Sequence, residues 1–150
     1  MEPIQSLEPL LRGDPVEAME TAKQIIGHKL LVDPQSLEAV LLDRSSRKWA
    51  RIAAVYSLGF LGDRSVVPAL IRIVSDHREP IAIRAHAAEA LGNINDAAAV
   101  PILARVLKQE ASPSLRQWCI YALEEIDTPK ARAALRSARQ PRRQSKRSRE

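Results

Sequence analysis

"LGFLGDRSVVPALIRIV" (Leu58–Val74) and "LGNINDAAAVPILARVL" (Leu91–Leu107) are two versions of one stretch, thirty-three residues apart. Widening the frame to Arg51–Val74 and Arg84–Leu107 gives nine identities in twenty-four positions. They are Arg51/Arg84, Ala54/Ala87, Leu58/Leu91, Gly59/Gly92, Asp63/Asp96, Val67/Val100, Pro68/Pro101, Leu70/Leu103 and Arg72/Arg105. A third copy follows at an offset of thirty-two, where Arg116, Cys119, Leu123, Ile126 and Leu135 fall on Arg84, Ala87, Leu91, Ile94 and Leu103. A fixed period of this length marks a stacked repeat. One unit cannot bury its apolar face alone, and its neighbours supply the missing wall.

Each unit predicts two helices. In the first, apolar residues recur at Ile52, Val55, Leu58 and Leu61, then at Ala85, Ala88, Leu91 and Ile94, the spacing of one helical face. Gly59 and Gly92 fall near its end, where a small residue permits a tight turn. Asp63 and Asp96 stand at the next start, where a carboxylate accepts from unpaired amides. The second helix carries Val67, Leu70, Ile71 and Val74, or Val100, Leu103 and Leu107, with Pro68 or Pro101 in its first turn. Asp14-Pro15, Asp33-Pro34, Ser112-Pro113 and Thr128-Pro129 add cap-then-proline starts.

Helices are therefore predicted near 5–12, 15–28, 34–43, 46–61, 65–75, 80–94, 98–109, 113–126 and 129–139. No segment alternates like a strand. The expected fold is all-α: a right-handed α-solenoid of stacked antiparallel helix pairs over residues 1–139. The best repeats are 46–76, 79–110 and 112–139, and degenerate ones fill 1–45. Small residues at Ala53, Ala54, Ala87 and Ala88 allow helices to approach closely. From Gln140 the sequence "QPRRQSKRSRE" has no apolar residue but proline, so 140–150 is expected to be a disordered basic tail.

At 150 residues the chain is about one domain, rich in Ala, Leu, Ile and Val, with only 3% aromatics. No run approaches the length of a membrane span, and Met1 is followed by acidic and polar residues rather than a secretory leader. One cysteine, Cys119, rules out an internal disulfide and a multi-cysteine metal site. The sequence predicts a soluble cytoplasmic protein. The net charge of +5 is unevenly placed. Residues from Arg136 onward carry seven cations against Glu150, a net +6, which leaves 16 cations and 17 anions, a net −1, on the first 135.

"RIAAVYSLGFLGDRSVVPALIRIV" and "RAHAAEALGNINDAAAVPILARVL" resemble HEAT repeats, specifically the short kind named for phycobilisome lyases. The resemblance is close over Ser46–Ala138 and loose over the first 45 residues. It implies the solenoid fold. It leaves function open, because such repeats serve as protein-binding scaffolds, lyase subunits and enzyme modules.

Three chemistries can be weighed. Deoxyhypusine hydroxylases, metal-binding members of this repeat family, place a His-Glu dipeptide in several repeats around two irons. This chain has His86-Ala87 there, with Ala53-Ala54 and Trp118-Cys119 as counterparts, so no metal site is expected. Cys119 falls at the small position of Ala54 and Ala87 and reads as a buried hydrophobe rather than a nucleophile. A chromophore-lyase accessory role is hinted at only by the name of the repeat. No catalytic residue and no cofactor are expected.

Arg51, Arg84 and Arg116 recur once per repeat. They read as a structural ladder, satisfying turn carbonyls or Asp63, Asp96 and Asp127, with a row of anion contacts as the alternative. Two surfaces are candidates for a partner. All five aromatics lie on first helices: Trp49, Tyr56 and Phe60 on one, Trp118 and Tyr121 on another. They either fill gaps between helices or form an exposed binding strip. The second helices carry Arg64, Arg72, Arg105, Lys108, Lys130, Arg132, Arg136 and Arg139. The resemblance implies that this stripe lines the concave side.

The reading is a non-catalytic scaffold or accessory subunit that binds another protein, an acidic one being among the options. Nucleic-acid binding through the stripe and tail is the alternative. No membrane partner is expected.

Overall fold

The computed structural model describes residues 7–28 and 30–140. Among these residues the chain forms α1 (Glu8–Arg12), α2 (Pro15–Ile26), α3 (Pro34–Leu42), α4 (Lys48–Leu61), α5 (Val67–Ser75), α6 (Ile81–Ile94), α7 (Val100–Gln109), α8 (Pro113–Ile126) and α9 (Pro129–Arg139), and no strand. The architecture is an all-α solenoid of helix pairs. One layer is the succession α2, α4, α6, α8, each packed on the next. The other is α3, α5, α7, α9. The expected tail at 140–150 lies outside the described residues except for Gln140, as do residues 5 and 6 of the expected first helix.

Two second helices, α5 and α7, begin later than the sequence suggests, and the reason is local. Asp63 Oδ1 accepts from Ser65 N at 2.8 Å, and Asp96 Oδ1 from Ala98 N at 2.9 Å. Each cap starts a single 3₁₀ turn, Arg64–Val66 or Ala97–Ala99, and the α-helix follows at Val67 or Val100. Pro68 and Pro101 are then second residues of their helices, where a missing N–H breaks no intrahelical bond.

The core is built from small residues between first helices and large ones toward the second. Ala53, Ala54, Ala87, Ala88, Cys119 and Ala122 are fully buried, as are Leu58, Leu70, Leu91, Leu103 and Leu123. Each such leucine stabilises the fold by about 1.5–3 kcal/mol relative to exposure. For Leu58, Leu70 and Leu91, the following repeat supplies part of the cover.

Gly59 and Gly92 have a different role from the turn the sequence suggests. Both lie inside helices, three residues before the C-cap, and face the next first helix. A Cβ at Gly59 would stand 2.9 Å from Ala90 Cα, and one at Gly92 2.8 Å from Ala122 Cα. The glycines let neighbouring helices touch backbone to side chain. The turn is made instead by Gly62, Asn95 and Asp127, all left-handed with φ of 70°, 60° and 49°. Their amides donate to Leu58 O, Leu91 O and Leu123 O. Asn and Asp are the non-glycine residues that best tolerate this conformation. On α8 the register position of Gly59 and Gly92 is taken by Glu124, whose half-exposed carboxylate lies 4.0 Å from Arg139 Nη2.

Candidate functional site

The repeated arginines occupy the fourth position of α4, α6 and α8. Each reaches back to the C-terminal carbonyls of the preceding second helix, groups that lack an intrahelical donor. Arg51 Nε donates to Leu41 O at 2.8 Å, and Arg84 Nε to Val74 O at 2.9 Å. Arg116 Nη1 donates to Leu107 O and, at 3.4 Å, to Glu110 O. These bonds lie where the second helices pack on the first helix of the following repeat, α3 on α4, α5 on α6 and α7 on α8.

The carboxylates differ from the expectation. Arg51 Nη1 pairs with Glu79 Oε2 at 2.9 Å, and Arg84 Nη1 with Glu110 Oε2 at 3.0 Å. Asp63 and Asp96 cap their own 3₁₀ turns, and Asp127 Oδ1 accepts from Arg132 Nε at 2.8 Å. The aspartates lie just past the C-terminal ends of the first helices, whereas the arginines lie in the first turns of those helices, which places them out of reach. Glu79 and Glu110 escaped sequence reasoning because Glu79 is one residue before Pro80 and Glu110 three before Pro113, so they do not align at the repeat offset. Glu110 also accepts from the Ser112 and Ala111 amides. The Ser112 amide, followed by the charge of Arg84, holds its carboxyl below the ordinary glutamate value.

Two clefts open along the edge where second helices end. One, of about 310 Å³, lies between the ends of α5 and α7 and includes Ser75, His77, Arg84, Arg105, Gln109 and Glu110. The other, of about 400 Å³, includes Leu42, Arg72, Asp76, Arg78 and Glu79. Hydrogen bonds from the Arg78 side chain and amide hold Asp76 down at about 2, so it is ionised at any neutral pH. Arg72 and Arg105 occupy equivalent register positions on adjacent second helices, and the two clefts share Ser75.

All the second-helix cations named from sequence are exposed: Arg64, Arg72, Arg105, Lys108, Lys130, Arg132, Arg136 and Arg139. They are not equally available. Arg132 is engaged by Asp127, whereas Arg72 and Arg105 make no ion pair among the described residues.

The aromatics divide. Trp49 is 46% and Phe60 50% exposed, while Tyr56, Trp118 and Tyr121 are half-buried. Tyr56 stands edge-on to Phe60 with centroids 4.9 Å apart, and Trp118 edge-on to Tyr121 at 5.3 Å. Between the two pairs, α6 presents His86 and Glu89, whose Nδ1 and Oε2 are 3.0 Å apart. Tyr121 donates its hydroxyl to Asn93 Oδ1 at 2.5 Å and so ties α8 to α6. Four of the rings thus form two pairs flanking a polar strip, and Trp49 stands apart near the start of α4, with Lys48 Nζ 5.7 Å from its ring centroid.

Among the described residues no group of three or more His, Cys, Asp or Glu is placed to hold a metal ion, and no helix is long and apolar enough to cross a membrane. Cys119 is fully buried, and loss of solvation pushes its thiol up to about 12. A thiol so far from its thiolate is a poor nucleophile.

A family model of HEAT repeats matches residues 34–119 and again 77–148. No curated protein matches the chain.

Proposed function

The chain belongs to the HEAT-repeat family, and on that premise we propose that it is a non-catalytic protein-binding scaffold or accessory subunit. The observation that carries this reading is the repetition of a charged, uncommitted side chain at one register position. Arg72 and Arg105 stand exposed at the lips of neighbouring clefts, with no ion pair among the described residues. A stacked array displays such positions at the helix-to-helix spacing, roughly 10 Å, which suits an elongated partner segment. The exposed faces of Trp49 and Phe60 offer a second contact region of the kind that dominates binding energy.

The test is affinity capture from the native cell extract, with and without nuclease, using the wild-type chain and an Arg72→Glu/Arg105→Glu variant of unchanged thermal stability. The reading expects a protein partner that survives nuclease and is lost with the charge reversal. Capture of nothing, or of nuclease-sensitive material alone, would sink it. Nucleic-acid binding remains the second reading because the second-helix cations are exposed as a set. It requires an affinity for DNA or RNA that falls steeply as salt rises, and no binding at low salt ends it.

A further inference from the structure

The repeated arginine is buried in both repeats, but its terminal nitrogen is sealed off only in the first. Arg51 and Glu79 are both more than nine-tenths buried, and Arg44 Nε lies 3.7 Å from the outer carboxylate oxygen. Arg44 also donates to Arg78 O at 2.9 Å, which holds it over the pair. Arg51 Nη2 is sealed in this pocket with neither a partner nor solvent. Arg84 occupies the same helical position and is equally buried, at 2% exposure. Its Nε and Nη1 are taken by Val74 O and Glu110, and among the described residues its Nη2 has no hydrogen-bond partner. Unlike Arg51 Nη2 it is not sealed off, and the Arg84 side chain forms part of the wall of the α5–α7 cleft.

We propose that this cleft is a docking site for a single Asp or Glu side chain carried on an extended segment of a partner protein, held between Arg84 and Arg105. The proposal rests on the scaffold reading above and names the chemistry that the scaffold recognises. A buried guanidinium with a free N–H edge favours a planar anion, because the arginine is already oriented by its other two bonds and loses little freedom on binding. Arg105 supplies a second guanidinium at the rim. Glu110 does not fill the role from within, since its carboxylate is taken by Arg84 and by the Ser112 and Ala111 amides.

Size favours an isolated carboxylate over a polyanion. Asp76, Glu79 and Glu110 are each already paired with an arginine and leave no net negative edge, but the cleft is only about 310 Å³. A peptide can lay neutral main chain along the rim and present one charge to it. Gln109 and Ser75 on the lining offer an amide and a hydroxyl to that main chain.

The experiment is a titration of the full-length, ¹⁵N-labelled chain with the peptide Ac-Gly-Ser-Glu-Ser-Gly-amide, followed by NMR. The Glu peptide should shift the Arg84 Nε–H and the His77 and Gln109 amides saturably. The Gln counterpart should bind about tenfold more weakly or worse, the loss expected for a charged hydrogen bond. Arg105→Gln, an exposed position, should cost a similar factor with no change in thermal midpoint. Arg84→Lys, which keeps the charge but lacks the second Nη, should also weaken binding.

The proposal is overturned if no saturable shift occurs up to the solubility limit of the peptide, or if the shifts fall on α9 instead. It is equally overturned if inorganic phosphate, titrated in parallel, moves the same signals as strongly. A captured partner that survives Arg105→Gln but is lost on Phe60→Ser would end the cleft proposal alone. Capture of no protein at all ends the scaffold reading on which it rests.

Discussion

Replacing Arg51 by methionine leaves the packing volume of the site nearly intact but strands two groups. Glu79 keeps a carboxylate that is only 6% exposed, with Arg44 at 3.7 Å as its remaining counter-charge, and Leu41 O loses its donor. Removing one partner of a buried pair costs about 3–5 kcal/mol. Because half-exposed Arg44 still offsets part of the stranded charge, the lower end of that range is expected, about 3 kcal/mol. For a domain of this size each kcal/mol moves the midpoint by about 2–4 °C, so Tm should fall by about 6–12 °C. The double variant Arg51→Met/Glu79→Leu removes the stranded charge as well. It should recover most of the loss and leave a deficit of about 1 kcal/mol for the Leu41 carbonyl. Urea unfolding followed by far-UV circular dichroism, with calorimetry for Tm, measures both. A single variant within about 1 kcal/mol of wild type, or a double variant as damaged as the single, would refute the assignment of these arginines as the clamps between repeats.

Gly92→Leu should destabilise by about 1–3 kcal/mol, even though the substitution favours helix by up to about 1 kcal/mol. The added Cβ would stand 2.8 Å from Ala122 Cα, which is backbone and cannot swing aside; a thermal melt at or above wild type would contradict the close-approach role. Glu110 gives a pH dependence of definite sign. Its folded pKa lies below the ordinary value of 4.5, so its contribution is complete above that value and is lost as pH falls through the folded one. Glu110→Gln should therefore flatten the acid limb of the stability curve just below pH 4.5, and an unchanged limb would remove the hydrogen bonds and Arg84 as the cause. Finally, Cys119 should resist a thiol reagent at neutral pH until the chain opens. Its labelling rate should rise with urea in step with unfolding, and rapid labelling of the native protein would contradict its burial.

Much of the fold was legible because the repeat writes its helix-defining residues at fixed offsets. Pro15, Pro34, Pro113 and Pro129 are the first residues of their helices, and the alternation of two apolar faces placed the rest within a few positions. The glycines misled for a physical reason. A residue chosen for having no Cβ looks the same in sequence whether the space is needed by a left-handed turn or by a neighbouring helix. Asn95 and Asp127, the true partners of Gly62, share no letter with it. The ion pairs were hidden because they join a residue that keeps register to loop residues that do not. Arg84 aligns with Arg51, but Glu110 does not align with Glu79. The aromatic faces were undecidable from spacing alone. The period places Asn93 at the position of Phe60, on the same face as Tyr121, but spacing cannot show that Tyr121 donates its hydroxyl to it.

Glu124 changes what duplication can do to this chain. At the same position in α4 and α6, the absence of a Cβ is what admits the next helix, with less than 3 Å between that missing atom and the neighbour's backbone. A copied unit inserted between α4 and α6 would meet a glycine on one side and present one on the other, and the stack would lengthen like a zipper gaining a tooth. A unit appended beyond α8 would find a carboxylate where it needs bare backbone. The backbone-to-backbone approach that repeats through the middle of the array thus has its register broken at α8, where Glu124 carries the Cβ that Gly59 and Gly92 lack.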